Sequence, residues 1–209
     1  MNGTSIELTE FQKDALKEFG NIGSAHAATS LSQMMGRGIE MKVPDIELAP
    51  LSKILTFIDP DEPVAGLYFQ LMDGESNTGH IYLLFPEQSA YAISDILMGM
   101  ELGTTMSITD MEMSALMEVG NILVSTFSDA SAGLLGITML PSPPAYSFDM
   151  ARSLIEKILL DIGRMSSNAI IFKTSLSDES NCVNGYLLLL PNPETLEKIL
   201  DILGSKVNG

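Results

Sequence analysis

Fifteen residues near the start of the chain, Leu8–Ile22 (LTEFQKDALKEFGNI), return 100 positions later as Ile108–Ile122 (ITDMEMSALMEVGNI). Thr9, Ala15, Leu16, Glu18, Gly20, Asn21 and Ile22 recur unchanged, where chance would give about one identity. Gly36 returns as Gly136 and Pro44 as Pro144 at the same spacing, and Ile81–Gly99 matches Tyr186–Gly204 at a spacing of 105. Each half thus carries the same elements in the same order. A chain of this kind folds either as one domain or as two fused halves of about 100 residues.

The elements of one unit follow from local signals. Thr9 and Thr109 each precede Gln12 or Glu112 by three residues, the capping-box pattern, so a long helix starts at each. Gly36 and Gly136 supply the stops. Ile39–Leu48 alternates apolar and polar residues around Pro44, which confines it to a sheet edge. Gly66–Met72 and Gly79–Phe85 flank a polar, Gly-containing turn and read as a hairpin, and Glu87–Met98 has helical periodicity ending at Gly99. The second half repeats this with strands at Ile137–Phe148, Ala169–Ser175 and Tyr186–Leu190 and a helix at Glu194–Leu203. Asp149–Asp161 adds an amphipathic helix there. The expected class is α+β with pseudo-twofold symmetry: the hairpins pair into one central sheet and the helices pack on its face.

Composition removes several functions. With 209 residues and 45% apolar content the chain buries a substantial core. Twenty-seven acidic residues against eleven Lys and Arg, a formal charge of −16, argue against a nucleic-acid surface, which needs clustered cations. The acidity has two readings, plain solubility or a surface suited to a partner with a basic rim. Cys182 is the only cysteine, so no internal disulfide forms; with no Cys/His cluster at zinc-ligand spacing, it is expected to be a buried thiol. Met1–Glu10 is polar and acidic, unlike a secretory signal, and no apolar run is long enough to span a bilayer. A soluble cytoplasmic protein is the expectation.

Two polar stripes remain. Positions i, i+4 and i+7 of a helix fall within about 60° of one another, so Asp14, Glu18 and Asn21 share a face, as do Ser114, Glu118 and Asn121. Gly20 and Gly120 sit immediately before the Asn in each copy, although glycine costs a helix interior about 1 kcal/mol relative to alanine. Accepting that cost twice in one place points to close approach of another backbone. Solvated residues drift between copies, whereas Glu, Gly and Asn are kept while their neighbours Phe19 and Val119 differ. His26 has Thr126 as its counterpart and no triad logic around it, which makes it an ordinary histidine. The fourteen methionines are expected mostly in the core, with Met111, Met113 and Met117 beside the second stripe as candidates for partner contact.

Asp14-x3-Glu18-x2-Asn21-x22-Pro44 and Ser114-x3-Glu118-x2-Asn121-x22-Pro144 resemble the signature of the CheC, CheX and FliY phosphatases. The likeness covers nearly the whole chain, and the two full repeats with EFGNIGSAHAATSLS after the first site are most similar to CheC. It implies a single CheC-like domain over residues 1–209, made of repeats at about 8–100 and 108–205. It also implies hydrolysis of the aspartyl phosphate of a CheY-type response regulator in chemotaxis. Asn21 and Asn121 would orient the attacking water, Glu18 and Glu118 would pair with the regulator's active-site lysine, and Asp14, Ser114, Gly20 and Gly120 would support them. No cofactor or metal of its own is implied, since the regulator supplies Mg²⁺. CheD, the chemoreceptor deamidase, is the second implied partner and regulator, with Asp149 as a contact, although the same helical segment also serves simply to cover the sheet. An adaptor that holds CheD or the phosphorylated regulator with little turnover is the competing function.

Overall fold

The computed structural model describes residues 8–36, 38–163, 166–177 and 182–205. In chain order the elements are α1 (Glu10–Met35), β1 (Glu40–Pro50), a short 3₁₀ turn (Leu51–Thr56), β2 (Pro63–Asp73), β3 (Ser76–Pro86) and α2 (Glu87–Met98). The second half follows with α3 (Asp110–Leu135), β4 (Leu140–Pro141), β5 (Ala145–Met150), α4 (Ala151–Ile162), β6 (Asn168–Ser177), β7 (Cys182–Pro191) and α5 (Pro193–Ser205). Both capping boxes form, and both long helices end on a glycine with a left-handed backbone, φ 64° at Gly36 and 62° at Gly136.

All strands join one antiparallel sheet in the order β1-β6-β7-β3-β2, with β4 and β5 both pairing on the outer side of β2. Each half keeps its hairpin, β2–β3 or β6–β7, but sends its first strand to the other half's hairpin: β1 pairs with β6, and β5 with β2. The exchange is symmetric in register. Ile46–Phe172–Leu187 and Tyr146–Leu67–Leu83 form matching halves of one row across the sheet, joined where Leu83 faces Leu187. The central pair therefore marks the pseudo-twofold axis. It also shifts the expected equivalence of β3 and β7 by one residue, placing Tyr82 over Tyr186 instead of Ile81 over Tyr186. Side chains alternate faces along a strand, so this shift is what keeps Leu83 with Leu187 on one side.

Two apolar layers flank the sheet. On one face Leu16, Phe19, Leu116, Val119 and Leu123 of α1 and α3, with residues of α2 and α5, pack on Leu67, Phe69, Leu83, Phe172 and Leu187. On the other, α4 and the 3₁₀ turn cover Val64, Leu84, Ile171 and Leu188. That turn occupies in the first half the place α4 takes in the second. Phe19, Phe127 and Phe172 form an edge-to-face cluster where α1, α3 and β6 meet, with ring centroids 4.9 to 6.2 Å apart.

The linker between the repeats is tied down by Asp95. This fully buried carboxylate accepts backbone N–H bonds from Gly103, Thr104 and Thr105 at 2.8 to 3.2 Å. Burial alone would raise its pKa, but the bonds from Thr105, Gly103 and Thr104 outweigh burial and hold it below the ordinary aspartate value. It thereby positions the lead-in to α3, which carries the second stripe.

Several expectations are corrected. The strand expected over Ile137–Phe148 begins at Leu140 and is interrupted at residues 142–144, where Pro143 and Pro144 have no N–H for a ladder. Asp149 lies in β5, opposite Val64, because the antiparallel pairing continues to Met150 before α4 starts. Cys182 is exposed: it opens β7 opposite Ser177, and the alternation along the strand turns the next residue, Val183, into the core instead. Met139 is buried, whereas Met34, Met100, Met106, Met111 and Met150 are exposed and Met41 and Met117 only partly buried against the core.

Candidate active site

The polar stripes lie where the helices turn away from the sheet. Asp14, Glu18 and Asn21 on α1 and Ser114, Glu118 and Asn121 on α3 are all exposed, while Leu16, Phe19, Leu116 and Val119 between them are buried. The same helical period that buries one side thus presents the other.

Gly20 and Gly120 explain how close the helices come. A side chain on Gly20 would start 3.1 Å from the Phe172 ring and 3.3 Å from Ile46, and one on Gly120 would start 2.3 Å from Leu67 and 3.5 Å from Leu83. Both glycines therefore rest on the central side-chain row of the sheet, not on a neighbouring backbone as the sequence suggested. Their absence of a side chain seats the turn that carries each Glu and Asn directly on a rigid platform.

None of the side chains of Glu18, Asn21, Glu118 and Asn121 has a hydrogen-bond or ion-pair partner among the described residues. Ser114 is different: its hydroxyl donates to the Asp110 carbonyl at 2.8 Å, within its own helix. His26 is exposed on α1. No group of three or more His, Cys, Asp or Glu residues that would hold a metal occurs among the described residues.

An open groove of about 460 Å³ adjoins the second stripe. Met117, Pro141, Pro143 and Pro144 wall it, and Ser114, Glu118 and Asn121 line its helical side. Pro144 of the sequence pattern is thereby brought to Glu118 and Asn121. The break in the strand is pinned by Ser142, whose N–H donates to the Gln70 carbonyl at 2.8 Å and whose hydroxyl accepts from the Gln70 N–H at 3.0 Å. The groove-forming prolines Pro141 and Pro143 were not singled out in the sequence; their spacing around Ser142 was the available signal. Met111 is 67% exposed at the start of α3, and Met113 is half-buried. Asp149 is exposed on β5, its carboxylate accepting the Met150 N–H at 2.7 Å.

Comparison with known proteins decides the family. A model of the CheC-like family matches residues 11–48 and 111–147, the two stripes with the strands that follow them. The protein named CheY-P phosphatase CheC from Bacillus subtilis is 31% identical over 96% of this chain and 97% of its own length. The chain belongs to the CheC-like family.

Other members extend the comparison. The flagellar motor switch phosphatase FliY of Bacillus subtilis is 28% identical over 66% of the chain, which spans 36% of that longer protein. The crystal structure of Thermotoga maritima FliY has the same fold, with a TM-score of 0.77 at 20% identity, covering 96% of this chain and all of that one. The two interlocked repeats of this chain thus share the fold of that structure. No helix among the described residues is long and apolar enough to cross a membrane.

Proposed function

We propose that this CheC-like chain hydrolyses the aspartyl phosphate of a CheY-type response regulator, using Glu18 with Asn21 and Glu118 with Asn121. The observation that carries the reading is the pair of equivalent, exposed Glu–Asn stripes, without side-chain partners among the described residues and each seated on the sheet by a glycine. Groups held on rigid elements and without a side-chain partner among the described residues are available to a second molecule. The name of the Bacillus subtilis relative, a phosphatase of CheY-P, supports the substrate class.

The reaction asks little of the enzyme. Water attacks phosphorus in line with the aspartyl oxygen; the P–O bond to that carboxylate breaks as the new one forms, and the products are a free aspartate and inorganic phosphate. Mg²⁺ and a lysine on the regulator neutralise the phosphoryl oxygens, so the Mg²⁺ belongs to the substrate. The Asn21 or Asn121 amide orients the water, its carbonyl accepting one water O–H so that a lone pair faces phosphorus. An amide does this without placing a negative charge beside an anionic group. Glu18 and Glu118 dock the helix by pairing with the regulator's lysine.

Docking and hydrolysis are separable on this account. Glu18→Ala combined with Glu118→Ala is expected to weaken binding of a beryllofluoride-loaded regulator by about tenfold, the loss of a charge-assisted hydrogen bond. Calorimetric titration measures it; unchanged affinity would show that the carboxylates do not dock. CheD is the proposed regulator, through the exposed Asp149 beside α4. Asp149→Lys should weaken a CheD titration and leave phosphate release intact, and an unaltered titration removes Asp149 from the interface.

A further inference from the structure

The pseudo-twofold axis makes each repeat a control for the other, and beyond Asp14 against Ser114 the two sites differ in what lies beside them. Beside the second site, Met117, Pro141 and Pro143 line the open groove. The residues 100 positions earlier are Lys17, Met41 and Val43. Val43 is buried in the core beneath α1, Met41 is half-buried and packed against the same core, and Lys17 is exposed. β1 thus turns Val43 inward where the interrupted strand β4–β5 exposes Pro143, while Met41 and Pro141 are both half-buried.

The cause is local. Both edge strands shift register by one residue at the same place, between Lys42 and Asp45 in the first repeat and between Pro141 and Ala145 in the second. Only the second fills the shift with two successive prolines and fixes it to Gln70 through Ser142. The result is a stiff wall of prolines facing the thioether of Met117, an unbranched and polarisable side chain that adapts to what it contacts. Glu118 is the only charged residue on the groove's lining.

The groove is continuous with Glu118 and Asn121, so a surface that brings a phosphoryl group to Asn121 also covers it. Resting on the proposed function, we propose that Met117, Pro141 and Pro143 form a subsite for an apolar side chain that the regulator carries beside its phosphorylated aspartate. The first repeat has no such subsite. Met117 is a specificity-determining residue for the second site, and the first site, with Lys17 in its place, docks through polar contacts.

The test uses the full chain with Asn21→Ala, so that the second site alone works, and a CheY-type regulator phosphorylated with a small phosphodonor in Mg²⁺. Met117→Lys is expected to raise KM by about tenfold, the scale of losing one buried apolar contact, with kcat within about twofold. Met117→Leu should restore KM, and because Met117 also packs partly against the core, an unchanged kcat and thermal midpoint in Met117→Lys mark the loss as one of docking and not of folding. Pro143→Ser, at an exposed position away from the core, should raise KM in the same direction. If Met117→Lys and Pro143→Ser both leave KM unchanged while the Asn21→Ala, Asn121→Ala double variant is inactive, the subsite is wrong and the function stands. If that double variant still turns over, the function and the subsite fall together.

Discussion

Replacing Asn21 and Asn121 together by alanine is expected to slow phosphate release at least about 100-fold, the usual scale for losing a group that aims a nucleophile. Both residues are exposed and bond to nothing else among the described residues, so the substitutions leave the core untouched. The thermal midpoint should therefore stay where it is, and the Glu18 and Glu118 carboxylates should still hold the beryllofluoride-loaded regulator. Either single variant keeps the other site. Their residual rates rank the two sites, which differ at Asp14 against Ser114 and at Lys17 against Met117.

The largest effect on stability is expected at Phe172. Its ring is 1% exposed, meets Phe19 of the first repeat and Phe127 of the second, and supports Gly20 from below. Phe172→Ala removes a shared contact of both halves and leaves a cavity at the point where α1, α3 and the sheet converge. A loss of about 4 kcal/mol follows from large-to-small substitutions in packed cores. For a chain of this length that is roughly a 10 °C fall in the midpoint, read by calorimetry at neutral pH. A change under about 1 kcal/mol would mean that the two halves are not held together through this cluster. Activity should fall at the first site in particular, because the platform under Gly20 is lost.

What the sequence disclosed and what it concealed divide along the range of the interactions. Capping boxes, glycine stops and the helical stripe are set within four to seven residues, and Thr9, Gln12, Gly36, Glu18 and Asn21 all stand as their spacing suggested. Pro44 correctly marked an edge strand, because a missing N–H is a local fact with one structural outcome. The exchange of first strands between hairpins was not legible, since nothing in Ile39–Leu48 says which hairpin it joins. The alignment of β3 with β7 slipped by one residue because Pro86 and Pro191 dominate the similarity, whereas the observed equivalence is set by the pairing of Leu83 with Leu187 across the sheet.

At the site, the two exposed Glu–Asn stripes were legible and their surroundings were not. Duplication singled out Glu and Asn on the exposed helix faces, but the duplicated Gly suggested a backbone contact where the structure has the side chains of Phe172 and Leu67. Both demand a missing Cβ, so the sequence alone cannot separate them. The groove arises from a difference between the repeats, and a reading built on what the repeats share passes over Pro141 and Pro143. Cys182 and most of the methionines were placed inside on their average behaviour; here Cys182, Met34, Met100, Met106, Met111 and Met150 are exposed, and Met41 and Met117 are only partly buried.

The most direct measurement is phosphate release from a phosphorylated CheY-type regulator in Mg²⁺, with the chain present at a small fraction of the regulator's concentration. The account predicts many turnovers per chain for the native sequence and none above the regulator's own decay for the Asn21→Ala, Asn121→Ala variant. Release that stops at one equivalent per chain, or that the double variant sustains at the native rate, would contradict it.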